Sequence, residues 1–217
     1  MESRNTVLVV DDHPLFRKGV VQLLAMEPSI EVVGEAGNRA QALALVQQHE
    51  PDLTLLDLNL KSESGLDILA AIKADDPSRR VVMLTVSDAA EDLMGAIRAG
   101  ADGYLLKDME PEQLLDRVRA SLAGETVIGE ALAARLASAL RQEAQDSAGG
   151  VRRDLSLLTD REQQVLRCLA DGQSNKRIAR TLSITEGTVK VHVKNLLKKL
   201  SFRSRVEAAV WMAQQAH

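Results

Sequence analysis

Aromatic side chains are scarce in this chain: two Phe, one Trp and one Tyr among 217 residues. Readers of single-stranded nucleic acid stack bases on aromatic platforms, so that class of partner is disfavoured. Cysteine occurs once, at Cys168. An internal disulfide is thereby excluded, no zinc-type spacing of Cys and His exists, and a reducing compartment is expected. Beside Leu166 and Leu169, Cys168 reads as a small core residue rather than a nucleophile. No apolar run approaches the roughly 18 residues of a membrane span, and Met1-Glu2-Ser3-Arg4-Asn5 lacks the charged-then-apolar order of a signal peptide. A soluble, cytoplasmic protein without membrane contact is expected.

Charge is present but unevenly placed. Residues 1–150 hold 14 Lys and Arg against 25 Asp and Glu, a balance of −11, whereas residues 151–217 hold 13 against 6, a balance of +7. An acidic body joined to a basic piece implies two domains, the second suited to a polyanion.

Within the acidic body, the apolar run Thr6-Val7-Leu8-Val9-Val10 stops at Asp11 and Asp12, and Leu53 to Leu56 delivers Asp57 in the same way. Strands of this kind are buried on both faces of a parallel sheet, and ligands bind beyond their carboxyl ends. Three converging carboxylates repel one another unless shared protons or a cation compensate. Mg²⁺ suits them, because it takes oxygen ligands and is held by carboxylates together with phosphate oxygens. The plain alternative is that Asp11 and Asp12 only cap the helix beginning near Pro14. Two further strand ends favour the site: Val81 to Leu84 ends in Thr85, and Tyr104-Leu105-Leu106 ends in Lys107. Lys is a compact cation for a phosphate oxygen or for Asp57, and the Thr hydroxyl can donate to the same group.

Strand-like runs near 6–10, 30–36, 53–57, 81–86 and 103–106 alternate with helical patterns near 15–26, 38–49, 65–75, 89–99 and 111–123. This predicts an α/β fold, a flavodoxin-like (βα)5 doubly wound parallel sheet in the order 2-1-3-4-5. Residues 1–124 form that domain in this reading. Residues 125–154 form a linker, with a helix over 129–145 and a polar, Gly-containing tether over 146–154.

The acidic body resembles the response-regulator receiver family over about residues 5–124. Val10-Asp11-Asp12-His13-Pro14, Leu56-Asp57-Leu58, Thr85 and Gly100-Ala101-Asp102-Gly103-Tyr104-Leu105-Leu106-Lys107 carry the likeness. The resemblance implies that Asp57 accepts a phosphoryl group from a sensor histidine kinase. It implies that Asp11, Asp12, Asp57 and the backbone carbonyl of Asn59 hold Mg²⁺, that Lys107 and Thr85 contact phosphoryl oxygens, and that Tyr104 is the switch aromatic. Where the family usually has Pro after the phosphoacceptor, this chain reads Leu60-Lys61-Ser62-Glu63-Ser64-Gly65.

The basic piece, residues 155–217, reads as a small all-α four-helix helix-turn-helix domain. Thr159-Asp160-Arg161-Glu162 is a capping box, Asp171-Gly172 ends its helix, Asn175 is suited to cap a second, and Glu186 opens a third. At about 100° per residue, Val189, Val193, Leu196, Leu197 and Leu200 make a core stripe on that third helix. Lys190, Lys194 and Lys198 line an adjoining stripe that includes Val191. Such a stripe is often only a solvated face, but an apolar residue among the lysines suits a major groove, where Lys meets guanine and an aliphatic group meets a thymine methyl. In the final helix, Val206, Ala209, Val210 and Ala213 read as the inward stripe, with Ala208, Trp211 and Gln215 on another side.

Residues 156–213 resemble the LuxR-type helix-turn-helix of the NarL/FixJ family, through Leu158 to Glu162, Asn175-Lys176-Arg177-Ile178-Ala179 and Ile184 to Lys194. The resemblance implies that the third helix binds double-stranded DNA, with Lys190, Val191, Lys194, Lys198, Thr188 and His192 as the candidates. It further implies that the final helix pairs two such domains through Ala208 and Trp211, although Trp211 could equally cover a small core. A homodimer on an inverted repeat follows. It also implies that the resting receiver covers the recognition helix.

The expected protein is thus a two-component transcription regulator and not an enzyme, its receiver promoting only its own phosphotransfer and dephosphorylation. A Mg²⁺-dependent phosphohydrolase working through an aspartyl-phosphate is the rival. Such enzymes commonly carry a second acid two residues after the nucleophile, and here that residue is Asn59.

Overall fold

The computed structural model describes residues 4–61, 63–128 and 154–215. The expected helix over 129–145 and most of the tether lie outside the described residues.

The receiver runs β1 (Asn5–Val10), α1 (Pro14–Ala25), β2 (Ile30–Ala36), α2 (Arg39–His49), β3 (Leu53–Leu56), β4 (Asn59–Leu60), β5 (Glu63–Ser64), α3 (Gly65–Asp75), β6 (Val81–Thr85), α4 (Ala90–Ala99), β7 (Gly103–Leu106), α5 (Pro111–Leu122) and β8 (Val127–Ile128). The parallel sheet has the order β2-β1-β3-β6-β7-β8, so the five expected strands hold the expected 2-1-3-4-5 arrangement. Val127 and Ile128, read from sequence as linker, extend it by pairing with Gly103 and Tyr104.

The central strands β1, β3, β6 and β7 are buried on both faces over most of their length. Val7, Val9, Leu53, Leu55, Val82, Leu84 and Leu105 pack toward α1 and α5, while Leu8, Val10, Leu56, Val81, Met83 and Tyr104 pack toward α2, α3 and α4. The period of two in side-chain direction produces both layers from one apolar run. β1 and β3 are adjacent, pairing Val10 with Leu56, so the residues that follow them emerge side by side.

The segment without the family's proline folds as a small antiparallel hairpin, with Asn59 opposite Ser64 and Leu60 opposite Glu63. Gly65 closes it, its N–H donating to the Leu58 carbonyl at 2.8 Å. A Cβ on Gly65 would stand 2.1 Å from the Asp57 carbonyl oxygen, closer than atoms can pack. Glycine therefore sets the return of this loop.

The second domain contains a 3-10 turn (Leu155–Leu157) and helices α6 (Asp160–Ala170), α7 (Asn175–Leu182), α8 (Glu186–Lys199) and α9 (Arg205–Gln215). The Thr159–Glu162 capping box is present at α6, and Lys199 ties the nearly buried Glu162 to α8 at 2.7 Å. Asn175 does not cap α7. Ser174 does, its side chain accepting from Arg177 N–H, and Asn175 is buried against the other domain. Val165, Leu166, Cys168, Leu169, Ile178, Val189, Val193, Leu196 and Leu197 form the core.

The final helix departs from the expectation. Ala208 is fully buried in the domain's own core, and Trp211 packs there with Phe202 at a ring separation of 5.5 Å. Val206 and Val210, expected to face inward, instead pack against the α2–α4 layer of the receiver. The helix has two apolar faces because it is clamped between two domains. Ala208 and Trp211 are thus not a free surface for pairing two copies.

Candidate phosphoacceptor pocket and DNA-reading helix

Asp11, Asp12 and Asp57 meet beyond the carboxyl ends of β1 and β3, with candidate ligand atoms from these three and His13 all within 4.8 Å of one another. Lys107, arriving from the end of β7, places Nζ 2.7 Å from both Asp11 Oδ2 and Asp57 Oδ2. Its side chain is 9% exposed, and Nζ also lies 4.8 Å from the centre of the Phe16 ring. A cation so placed partly neutralises the repulsion among the acids. Burial nonetheless raises the pKa of Asp57 above the ordinary carboxylate value. Lys107 works against that shift and Asp11 adds to it.

Asp12 is held from the hairpin, its Oδ2 accepting from Lys61 N–H at 2.9 Å. Asp12 Oδ1 is buried without a hydrogen-bond donor. An orphaned carboxylate oxygen beside two other acids fits a hard cation.

Thr85 and Tyr104 converge on one residue. Ser87 N–H donates to Thr85 Oγ1 at 3.2 Å, and Tyr104 Oη donates to the Ser87 carbonyl at 3.0 Å. Ser87 Oγ in turn donates to Asp92 at 2.5 Å, which ties the group to the first turn of α4. Burial is the main cause that pushes the Tyr104 phenol up to about 12, so it stays a donor throughout the neutral range.

The other end of the sheet holds the second domain. On α8, Lys190 Nζ lies 3.0 Å from Asp52 Oδ1, and Lys194 Nζ pairs with Asp76. Burial opposes ionisation of Asp52, but hydrogen bonds from Thr6 and Lys190 outweigh it and hold the carboxyl below its ordinary value. Asp76 is lowered similarly, with Lys194 and Ser78 overcoming burial. Asn175 N–H donates to the Ala123 carbonyl at 3.1 Å, and Arg203 reaches the Arg98 carbonyl at the end of α4 at 2.9 Å. Val191 stays 56% exposed and Lys198 is exposed. Thr188 and His192 are half-buried, and Thr188 N–H donates to the N-cap Thr185 at 3.1 Å.

Sequence reasoning named Asp11, Asp12, Asp57 and Lys107, and they lie together. It named Lys190, Val191 and Lys194, and they share one helix. It missed Asp52 and Asp76, the partners of those lysines. No local pattern marks them, because the pairs span 138 and 118 residues.

A receiver coupled to a DNA-binding helical domain defines a response regulator. Residues 7–119 match the family described as "Response regulator receiver domain", and residues 156–212 match "Bacterial regulatory proteins, luxR family". This chain belongs to the response regulators of NarL/FixJ type. It is 50% identical over 210 residues to the "Nitrate/nitrite response regulator protein NarL" of Escherichia coli (strain K12), covering 97% of this chain and 95% of that one. It is 49% identical over 209 residues to "Nitrate/nitrite response regulator protein NarP" of the same organism, covering 96% and 94%. A crystal structure of a LuxR-family two-component response regulator from Aurantimonas sp. SI85-9A1 superposes with a TM-score of 0.60 at 29% identity, covering 64% of this chain and 99% of that one. The chain is therefore a regulator controlling transcription through phosphorylation, and the phosphohydrolase alternative is not favoured. Among the described residues, no helix is long and apolar enough to cross a membrane.

Proposed function

We propose that Asp57 is the phosphoacceptor, charged by a sensor histidine kinase, and that the protein is closed at rest by pairing its DNA-reading lysines with receiver carboxylates. The observation that carries this is the pairing of Lys190 with Asp52 and of Lys194 with Asp76. Those two carboxylates occupy the lysines that DNA would engage on α8, so docking and DNA binding exclude each other.

Asp11, Asp12, Asp57 and the Asn59 carbonyl would hold Mg²⁺, which would supply positive charge to the transferred group. Lys107, already at Asp57, binds a phosphoryl oxygen, and Thr85 donates to another. Phosphorylation adds up to about two negative charges to a site rich in carboxylates. Thr85 moving toward them leaves Ser87, and Tyr104 follows as the switch, which disturbs the start of α4. The far end of α4 carries Arg203 and the α9 valines, so the same helix connects the pocket to the docked domain. The receiver promotes its own dephosphorylation in the same pocket.

Freed, α8 enters a major groove with Lys190, Val191 and Lys194 at base edges, and Lys198, Thr188 and His192 on flanking groups. A homodimer on inverted-repeat sites suits two such domains, with residues 1–124, 125–154 and 155–217 acting as receiver, linker and reader in a cytoplasmic protein. The two relatives named for nitrate and nitrite, at half identity over nearly the whole chain, support that signal for this one. The test is a footprint of binding sites with and without acetyl phosphate, on wild type and Asp57→Ala. Occupancy should rise with acetyl phosphate in wild type only; equal occupancy throughout overturns phosphorylation control.

A further inference from the structure

His13 stands in the acidic pocket without a task in the scheme above. Its backbone N–H donates to Asp11 Oδ1 at 2.7 Å, and its ring Nδ1 lies 3.2 Å from the same oxygen. That nitrogen is also 2.9 Å from Asp12 Oδ1 and 3.9 Å from Asp57 Oδ2. Asp12 Oδ1, on a side chain only 6% exposed, receives no aligned hydrogen bond although that nitrogen stands close to it. Leaving such an oxygen unmatched is costly, and the arrangement asks for a cation between these groups.

The spacing suits one. Ligand atoms about 2.0 Å from a metal ion lie about 2.8 Å apart in the square plane Cu²⁺ favours and about 3.3 Å apart in the tetrahedron Zn²⁺ favours, and the two shortest Nδ1–oxygen separations, 2.9 and 3.2 Å, fall between those values. The chemistry discriminates further. Mg²⁺ prefers oxygen and gains little from an imidazole, whereas Zn²⁺ and Cu²⁺ bind it well. The ring is 60% exposed, so it can adjust to an ion without disturbing the core.

We propose that His13 gives this pocket a nitrogen ligand, so that with Asp11, Asp12 and Asp57 it takes a late first-row metal ion such as Zn²⁺ or Cu²⁺ in competition with Mg²⁺. The inference rests on the reading of the acidic cluster as a cation site. Because Asp57 belongs to the same set of ligands, the metal present would govern how readily that carboxylate accepts a phosphoryl group. The competing account is a plain hydrogen bond from His13 to Asp11, which would serve every cation alike.

Calorimetric titration of the untagged full chain with Mg²⁺ and Zn²⁺ separates these accounts. For His13→Ala the ratio of Zn²⁺ to Mg²⁺ affinity should fall tenfold or more. Paramagnetic resonance of the Cu²⁺-loaded chain should show nitrogen coupling that His13→Ala removes and His192→Ala keeps. A wild type that binds Mg²⁺, with the ratio unchanged within twofold and the nitrogen coupling retained in His13→Ala, overturns the inference and leaves the cation site standing. A wild type that binds neither Mg²⁺ nor Zn²⁺ overturns both.

Discussion

Lys190 of the DNA-reading helix is anchored to Asp52, a receiver residue that Thr6 simultaneously orients through hydrogen bonds of 3.0 Å from its N–H and its hydroxyl. Asp52 is therefore fixed before the lysine arrives, and with Asp76 it presents a preformed acidic edge. The lysines are 58% and 45% exposed, so each pair is screened by solvent and contributes only about 0.2–1 kcal/mol. Closure held by such pairs, two valines and the hydrogen bonds from Asn175 and Arg203 is an assembly of individually small contacts, which a modest signal can reverse.

Replacing both carboxylates, Asp52→Asn with Asp76→Asn, should raise DNA affinity of the unphosphorylated chain about two- to thirtyfold. Fluorescence anisotropy at fixed salt would read it, since salt alone weakens both docking and DNA binding. Acetyl phosphate should then add less than it does in wild type. Both carboxyls are held below the ordinary carboxylate value when docked. Their contribution is accordingly complete above about pH 5 and lost progressively as the pH falls through and below the ordinary carboxylate range. Closure through these pairs should not vary across the neutral range.

Asp57→Asn should stabilise the metal-free receiver. A carboxyl whose folded-state pKa lies above its unfolded value costs stability once it ionises, so its penalty is absent in acid and grows as pH rises through the folded pKa. Burial raises Asp57 in this way, and Lys107 retains Asp11 as a partner when Asp57 is neutralised. Thermal melts in chelator should show a higher Tm for the variant at pH 7 and a narrowing gap toward pH 4. A lower Tm at pH 7 would mean that Lys107 outweighs burial.

Gly65→Ala should damage the pocket from outside it. The new Cβ would meet the Asp57 carbonyl oxygen at 2.1 Å and Leu58 backbone atoms at 2.9 Å, and backbone cannot swing aside as a flexible side chain can. A loss of about 1–3 kcal/mol in denaturant unfolding is expected, together with weaker Mg²⁺ binding because Asp57 and the hairpin shift. Gly19→Ala is the control, since nothing lies within 4 Å of its Cβ position. Equal effects from the two changes would refute close approach as the cause.

The strands, their order and the meeting of Asp11, Asp12, Asp57 and Lys107 were legible because each follows from short apolar runs and the geometry of parallel sheets. The Thr159 cap was legible for a similar reason: its signal is complete within four residues. Asn175 misled because Ser174 competes for the same role one position earlier. The α9 helix misled more deeply. Angular spacing separates Val206 and Val210 from Ala208 and Trp211, but both faces are apolar, and no periodicity says which domain each one meets. Asp52 and Asp76 were invisible for the related reason that surface acids acquire meaning only once another domain lies on them.

Val191 offers the cleanest separation of reading from closing, because its side chain is 56% exposed and carries no charge to pair with a carboxylate. Lys190 and Lys194 serve both purposes, so removing either weakens closure and DNA contact together, and the net effect on occupancy is a difference of two losses. Val191→Ala should leave the thermal midpoint and the domain docking unchanged. It should lower affinity for the specific operator by about 1 kcal/mol or more, through loss of an aliphatic contact at a base edge. Non-specific binding and its salt slope should stay as in wild type, since no phosphate contact is lost. Competition assays with operator and random duplexes at matched salt would show the preference narrowing; an equal loss on both duplexes would move Val191 off the bases and assign its role to backbone packing.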